Sequence, residues 1–154
     1  MNSQQLNELT KAAWPTIEPG VEFQNNWHVD AISEHLQAVV EGKIKRLIIN
    51  VPPRHMKSIS VAVALPAWTW TREPHKKFLY ASYASSLSIR DSVKARRLID
   101  SIWYKRHFED KFALTSDQNQ KQRFENNKTG YRIATSVGGA LTGDGGDIIC
   151  IDDP

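Results

Sequence analysis

Disulfide and zinc chemistry are the first things this chain lacks. Its 154 residues include one cysteine, Cys150, so neither an intrachain disulfide framework nor a cysteine-rich zinc site can form, and a reducing compartment is the expected home. Long apolar runs are missing as well. The longest, residues 61–68, already contains Pro66 and falls far short of the roughly 20 residues that a membrane-spanning helix needs. The opening Met1-Asn2-Ser3-Gln4-Gln5 has neither the basic start nor the apolar centre of a signal peptide. A soluble, intracellular protein with no membrane partner is expected. Glycine and proline are scarce, at eight and seven residues, and no segment repeats, which excludes collagen-like, disordered and solenoid readings. The five histidines are scattered without the spacing of a transition-metal site. Charge is nearly balanced, 20 Lys and Arg against 17 Asp and Glu, and the resulting +3 is compatible with a polyanionic partner without demanding one. What is present is ordinary globular composition, 40% apolar and 24% charged, in a length that suits one domain at about 150 residues each.

The order of patterned segments predicts an α/β protein. Residues 3–13 read as a helix, and residues 30–40 as an amphipathic one, with Ile32, Leu36, Val39 and Val40 on one face and Gly42 closing it. Residues 46–51 form a short, nearly continuous apolar run, the mark of a strand buried on both faces. Pro52 and Pro53 stop it. A helix is expected to open near Lys57, with Pro66 ending or kinking it because proline has no N–H to give. Residues 78–83 are the next strand and residues 85–103 a long helix. Residues 122–125 and 131–135 flank a hairpin turn at 126–130, and residues 148–151 form a last strand running into Asp152-Asp153-Pro154. Helices alternating with buried strands predict a mainly parallel sheet with helices on its faces.

Two junctions carry the chemistry. The first is Val51-Pro52-Pro53-Arg54-His55-Met56-Lys57-Ser58. A phosphate-binding loop needs a buried strand, a turn that points backbone N–H groups inward, and Lys-Ser or Lys-Thr at a helix start, where the partial positive charge of the helix end adds to the lysine. Lys57 would neutralise phosphates and Ser58 would ligate Mg²⁺. The usual glycines of that loop are replaced by Val51 and Met56. An ordinary strand-to-helix turn with a surface lysine would carry the same Lys-Ser pair. The second junction is the apolar run 148–151 followed by Asp152 and Asp153, the form of a Walker B strand. Such a strand delivers one carboxylate to Mg²⁺ at the sheet's C-terminal edge, and a second carboxylate can orient or deprotonate a water.

Together with Trp27-His28, Ala81-Ser82-Tyr83, the glycine-rich stretch Gly138-Gly139-Ala140-Leu141-Thr142-Gly143-Asp144-Gly145-Gly146-Asp147 and the closing Ile151-Asp152-Asp153-Pro154, the segment from Arg46 to Ser58 resembles the N-terminal ATPase region of tailed-phage terminase large subunits. The resemblance covers roughly residues 20–154, and the Pro52-Pro53-Arg54 form of the loop is its most specific part. It implies a partial P-loop NTPase fold, incomplete at the C-terminus. Residues 1–26 would be an N-terminal helical segment and 27–154 the core from phosphate loop to Walker B strand, with the family's C-terminal nuclease domain absent. It implies ATP and Mg²⁺ as cofactors. Pro53, Arg54, His55, Met56, Lys57 and Ser58 would bind nucleotide, Ser58 and Asp152 the metal, and Arg54, Lys57 and Asp153 would act in catalysis. Arg54 would stabilise charge on the transferring phosphate. Two positions depart from the family: Met56 stands where glycine is usual, and Asp153 where many relatives have glutamate.

The function so implied is the N-terminal fragment of a motor that drives double-stranded viral DNA into procapsids. Its partners would be the small terminase subunit and the portal protein, a ring-like homo-oligomer being expected of a full-length protein only, in the cytoplasm of the bacterial host. A truncated chain of this kind is expected to be inactive alone. Two alternatives stay open: a helicase-like P-loop ATPase fragment, and a non-enzymatic prophage remnant that binds DNA weakly. The basic stretch that includes Arg90, Lys94, Arg96, Arg97, Lys105, Arg106 and Lys111 reads either as a solvated face or as a DNA-facing one. Trp27 and His28 either border adenine or pack.

Overall fold

A computed structural model of the chain describes residues 5–53, 56–115, 121–139 and 143–153. Arg54, His55 and Pro154, and the centre of the glycine-rich stretch at 140–142, lie outside the described residues. The fold is α/β, with five α-helices and one four-stranded mixed sheet among the described residues.

Helix α1 (Leu6–Ile17) buries Leu6, Leu9, Ala13, Trp14 and Ile17, which recur at helical spacing along one face. Helix α2 (Trp27–Val40) starts three residues earlier than its apolar pattern suggests, because Asn26 caps it and its side chain accepts the Trp27 N–H at 2.8 Å. Gly42 follows at φ 80°, the left-handed conformation that ends helices. The helix of the Lys57-Ser58 junction runs through a π-helical segment (Ile59–Ala64) directly into α3 (Leu65–Trp70). Pro66 therefore does not end the helix. The Val61 and Ala62 carbonyls before it accept hydrogen bonds from the sheet, as described below.

Strand β1 (Lys77–Ser82) leads into α4 (Ser85–Ile99) and α5 (Ile102–Phe108). The single helix expected over 85–103 is thus two, broken where Ser101 takes an extended conformation and its hydroxyl accepts the Tyr104 N–H at 3.1 Å. Strands β2 (Arg123–Glu125) and β3 (Tyr131–Ser136) form the expected hairpin, and β4 (Ile148–Asp152) is the last strand.

The sheet order is β2-β3-β1-β4, with β1 parallel to both β3 and β4 and only the short β2 antiparallel. In this register Phe78, Tyr80 and Ser82 share a face with Arg132, Ala134 and Ser136 and with Ile148, Cys150 and Asp152. That face is covered by α4, and with α1, α2, α3, α4 and α5 it closes one hydrophobic core around Trp68, Trp70, Phe78 and Phe124. The helix cover expected on both faces is met on this one; on the other, Ile149 and Ile151 are 60% and 59% exposed.

The expected strand at 46–51 does not pair. The segment has no regular secondary structure, with Leu47, Ile49 and Val51 packed against the core while Ile48 is 85% exposed, and among the described residues it joins no ladder. An apolar run fixes which side chains turn inward, but a ladder also needs a neighbouring backbone in register. No helix among the described residues is long and apolar enough to cross a membrane.

Candidate functional site

The two junctions meet in space. Lys57 and Ser58 occupy the first turn of the helix that follows the 52–53 prolines, and Asp152 ends β4 at the C-terminal edge of the parallel strands. Lys57 Nζ lies 3.1 Å from Asp152 Oδ1 and 3.5 Å from Asp153 Oδ1. The Ser58 hydroxyl donates to Asp152 Oδ2 at 3.3 Å across 94 positions of sequence. Lys57 and Asp152 are each about a quarter exposed, so the pair is screened but not fully solvated. The hydrogen bond to Asp152 raises the Lys57 amine above the ordinary lysine value, against a smaller lowering from burial.

The approach to Lys57 is conformationally special. Met56 has φ 64°, in the left-handed region where a β-carbon is strained and glycine is at ease. The position where the phosphate loop usually has glycine thus has a glycine-like backbone here, with methionine in it. Asp153 has φ 47°, and its carbonyl accepts the Tyr83 N–H at 3.1 Å, which ties the end of β4 to the end of β1. Pro53 immediately precedes the two residues, Arg54 and His55, that fall outside the description.

A cavity of about 200 Å³ opens beside these groups, at the C-terminal ends of β1 and β4. Its wall includes Ser58, Asp152 and Asp153 together with Asp91 of α4 and Arg132 of β3. In open α/β sheets this edge is the usual place for ligands. Asp91 is buried, and burial raises its carboxyl above the ordinary aspartate value despite Arg90 at 3.5 Å. Arg132 is fully buried, its guanidinium stacked 4.1 Å above the Tyr80 ring. Sequence reading missed both residues. The available signal was parity: Arg132 and Ala134 are two apart on one strand, so a charged residue stood at a core-facing position.

Among the described residues no group of three or more His, Cys, Asp or Glu is arranged around a metal. A magnesium ion does not need one, since it keeps several waters and commonly takes one or two protein oxygens plus phosphate. Adjacent ligands of an octahedral Mg²⁺ lie about 3 Å apart, from bonds of about 2.1 Å. The 3.3 Å between Ser58 Oγ and Asp152 Oδ2 is compatible with that span.

The other candidates separate. Trp27 is 76% exposed at the start of α2, edge-on to the His28 ring at 6.3 Å between centroids. Several basic residues of the stretch from Arg90 onward have acidic partners within 4 Å: Arg90 with Asp91, Lys94 with Glu18, Lys105 with Asp100 and Lys111 with Asp110. Cys150 faces the core, and burial pushes its thiol up to about 11.

Comparison with protein-family models, with curated proteins and with solved structures gave no match to this chain.

Proposed function

We propose that this chain is the ATP-binding region of a DNA-packaging motor similar to tailed-phage terminase large subunits, and that it holds Mg-ATP between the helix start at Lys57-Ser58 and Asp152. One observation carries the reading. A lysine, a serine hydroxyl and a strand-end carboxylate lie within 3.3 Å of one another in pairs through Asp152, beside a cavity at the edge of parallel strands. A structural ion pair alone would need neither the adjoining hydroxyl nor the left-handed turn at Met56.

The division of labour follows from the chemistry of each group. Without nucleotide, Asp152 neutralises Lys57. With nucleotide bound, Lys57 would face phosphate oxygens, and Asp152 and Ser58 would be the groups that hold Mg²⁺. Bound Mg²⁺ would offset the negative charge of the phosphates and polarise them toward attack. Asp153, adjacent and two-thirds exposed, is the group available to orient a water. Arg54 completes the reading as the loop arginine that meets charge on the transferring phosphate. Double-stranded viral DNA, the small terminase subunit and the portal protein are the partners of such a motor. The Pro52-Pro53-Arg54 sequence favours packaging over a helicase-like ATPase. The acid partners of the basic stretch speak against a remnant that binds DNA through that face alone.

Calorimetric titration with Mg-ATP tests the site. Wild-type protein is expected to bind, Lys57→Ala to lose binding, and Met56→Gly to keep or improve it, because Met56 can obstruct phosphates but cannot hold them. Equal affinity in wild type and Lys57→Ala would sink the reading.

A further inference from the structure

We propose that Tyr80 and Arg132 are positioning residues for the Lys57-Ser58 turn, acting through the Val61 and Ala62 carbonyls at the change of helical register before Pro66; as a statement about nucleotide it rests on the function proposed above. In the π-helical segment the Leu65 N–H reaches back five residues to the Ser60 carbonyl. The next residue is Pro66, which has no N–H. The carbonyls opposite it in the five-residue and four-residue registers are those of Val61 and Ala62.

Both are satisfied from the sheet. The Tyr80 hydroxyl donates to Val61 O at 2.7 Å, and Arg132 donates to Ala62 O through Nη2 at 2.8 Å and Nε at 3.3 Å. Tyr80 is 3% exposed and Arg132 0%, and the guanidinium lies over the phenol ring. These two side chains come from neighbouring strands and stack on each other before they reach the helix. Burying a guanidinium is costly, and Arg132 Nη1 has no hydrogen-bond partner among the described residues. An apolar side chain would fill that volume at lower cost, so a reason other than packing is needed. Holding open carbonyls of a π-helical turn supplies one. Such turns recur at functional sites, and this one begins at Ile59, directly after Ser58. The clamp therefore fixes the height of Lys57 and Ser58 relative to β4, where Asp152 sits.

The proline makes the inference testable, because restoring its N–H supplies one helical donor that can stand in for the Tyr80 hydroxyl. Tyr80→Phe removes one oxygen and keeps the ring; Arg132→Met is the second variant, used once its melting curve shows a folded protein. Amide hydrogen exchange over residues 57–65 is the direct readout and needs no ligand. Tyr80→Phe is expected to speed exchange there at least tenfold with α1 unchanged, and Tyr80→Phe with Pro66→Ala to bring it back to within about threefold of wild type. Mg-ATP affinity should follow the same order, falling about five- to tenfold in Tyr80→Phe and recovering in the double variant. Unchanged exchange in Tyr80→Phe, or no recovery in a folded double variant, overturns the clamp. A wild-type protein that binds no Mg-ATP overturns the proposed function instead, and exchange alone then decides the positioning. Exchange that follows the expected pattern while affinity stays constant in a binding-competent protein overturns the link to nucleotide.

Discussion

Met56 holds a backbone angle of φ 64° immediately before Lys57, and a residue with a β-carbon is worse off there than glycine by about 1–2 kcal/mol. Part of that strain is offset in the comparison, because glycine gives the unfolded chain about 0.5–1 kcal/mol of extra backbone entropy. Met56→Gly is therefore expected to stabilise the protein by roughly 0.5–1 kcal/mol. Urea unfolding should show a higher midpoint with an unchanged slope, whereas a lower midpoint would mean that the methionine side chain makes contacts worth more than the strain. Strain retained at a position beside a site is a common sign that the local geometry serves the site. The pairing of Lys57 with two carboxylates is of the same kind, since a lysine placed for stability alone has no need to stand between the ends of β4 and a helix start.

At the scale of elements, the β2–β3 hairpin shows how tightly one turn can be specified. Asn126 accepts the N–H groups of Lys128 and Gly130 at 2.9 and 3.0 Å and donates to the Pro74 carbonyl at 2.8 Å. Gly130 packs so closely that an added β-carbon would stand 2.0 Å from Pro74 O. Gly130→Ala should therefore destabilise by about 2–4 kcal/mol, as overpacking against backbone does, and a loss below 0.5 kcal/mol in denaturant unfolding would contradict the close approach. This hairpin was legible in sequence because Asn-Asn-Lys-Thr-Gly between two strand-like runs is a local signal, and β1 and β4 were legible as apolar runs bounded by turns. The meeting of Lys57 with Asp152 was legible too, from two junctions that each pointed to the same sheet edge. Less local features were not. The 46–51 run is not buried on both faces as expected, Ile48 being 85% exposed, and it joins no ladder among the described residues, because pairing depends on a neighbour that the run itself does not encode. The break at Ser101 turns on a side-chain cap, and continuation through Pro66 turns on Tyr80 and Arg132, which come from strands on the far side of the core. Arg132 was hidden because a charged residue in a short strand reads as solvent-facing unless its parity is checked against Ala134.

The whole molecule responds to pH through groups spread across the core, and they act in one direction at the alkaline end. Tyr80 and Tyr104 are buried, and burial pushes both phenols well above their ordinary value of 10.0. Tyr104 also donates its hydroxyl to the Ala67 carbonyl at 2.7 Å, which only the neutral form can do. The folded state keeps these protons while the unfolded chain releases them, so the unfolded state binds fewer protons above pH 10 and stability falls as pH rises. The loss grows with pH as long as the folded state holds these protons, because the unfolded chain gains by ionising. Two such tyrosines act together, so the melting temperature should fall as pH rises past 10. Cys150, pushed up to about 11 by burial, and Lys57, raised mainly by its hydrogen bond to Asp152, add in the same direction, Cys150 from about pH 9 and Lys57 above 10.5. Melting temperature measured from pH 8 to pH 11 should thus be level at first and then fall steeply. Tyr104→Phe should start lower, having lost the bond to Ala67, but descend less steeply, because one of the groups that drives the fall is gone. A profile that stays flat to pH 11, or a Tyr104→Phe profile parallel to wild type, would mean that Tyr104 ionises in the folded protein and that the core around α5 admits solvent.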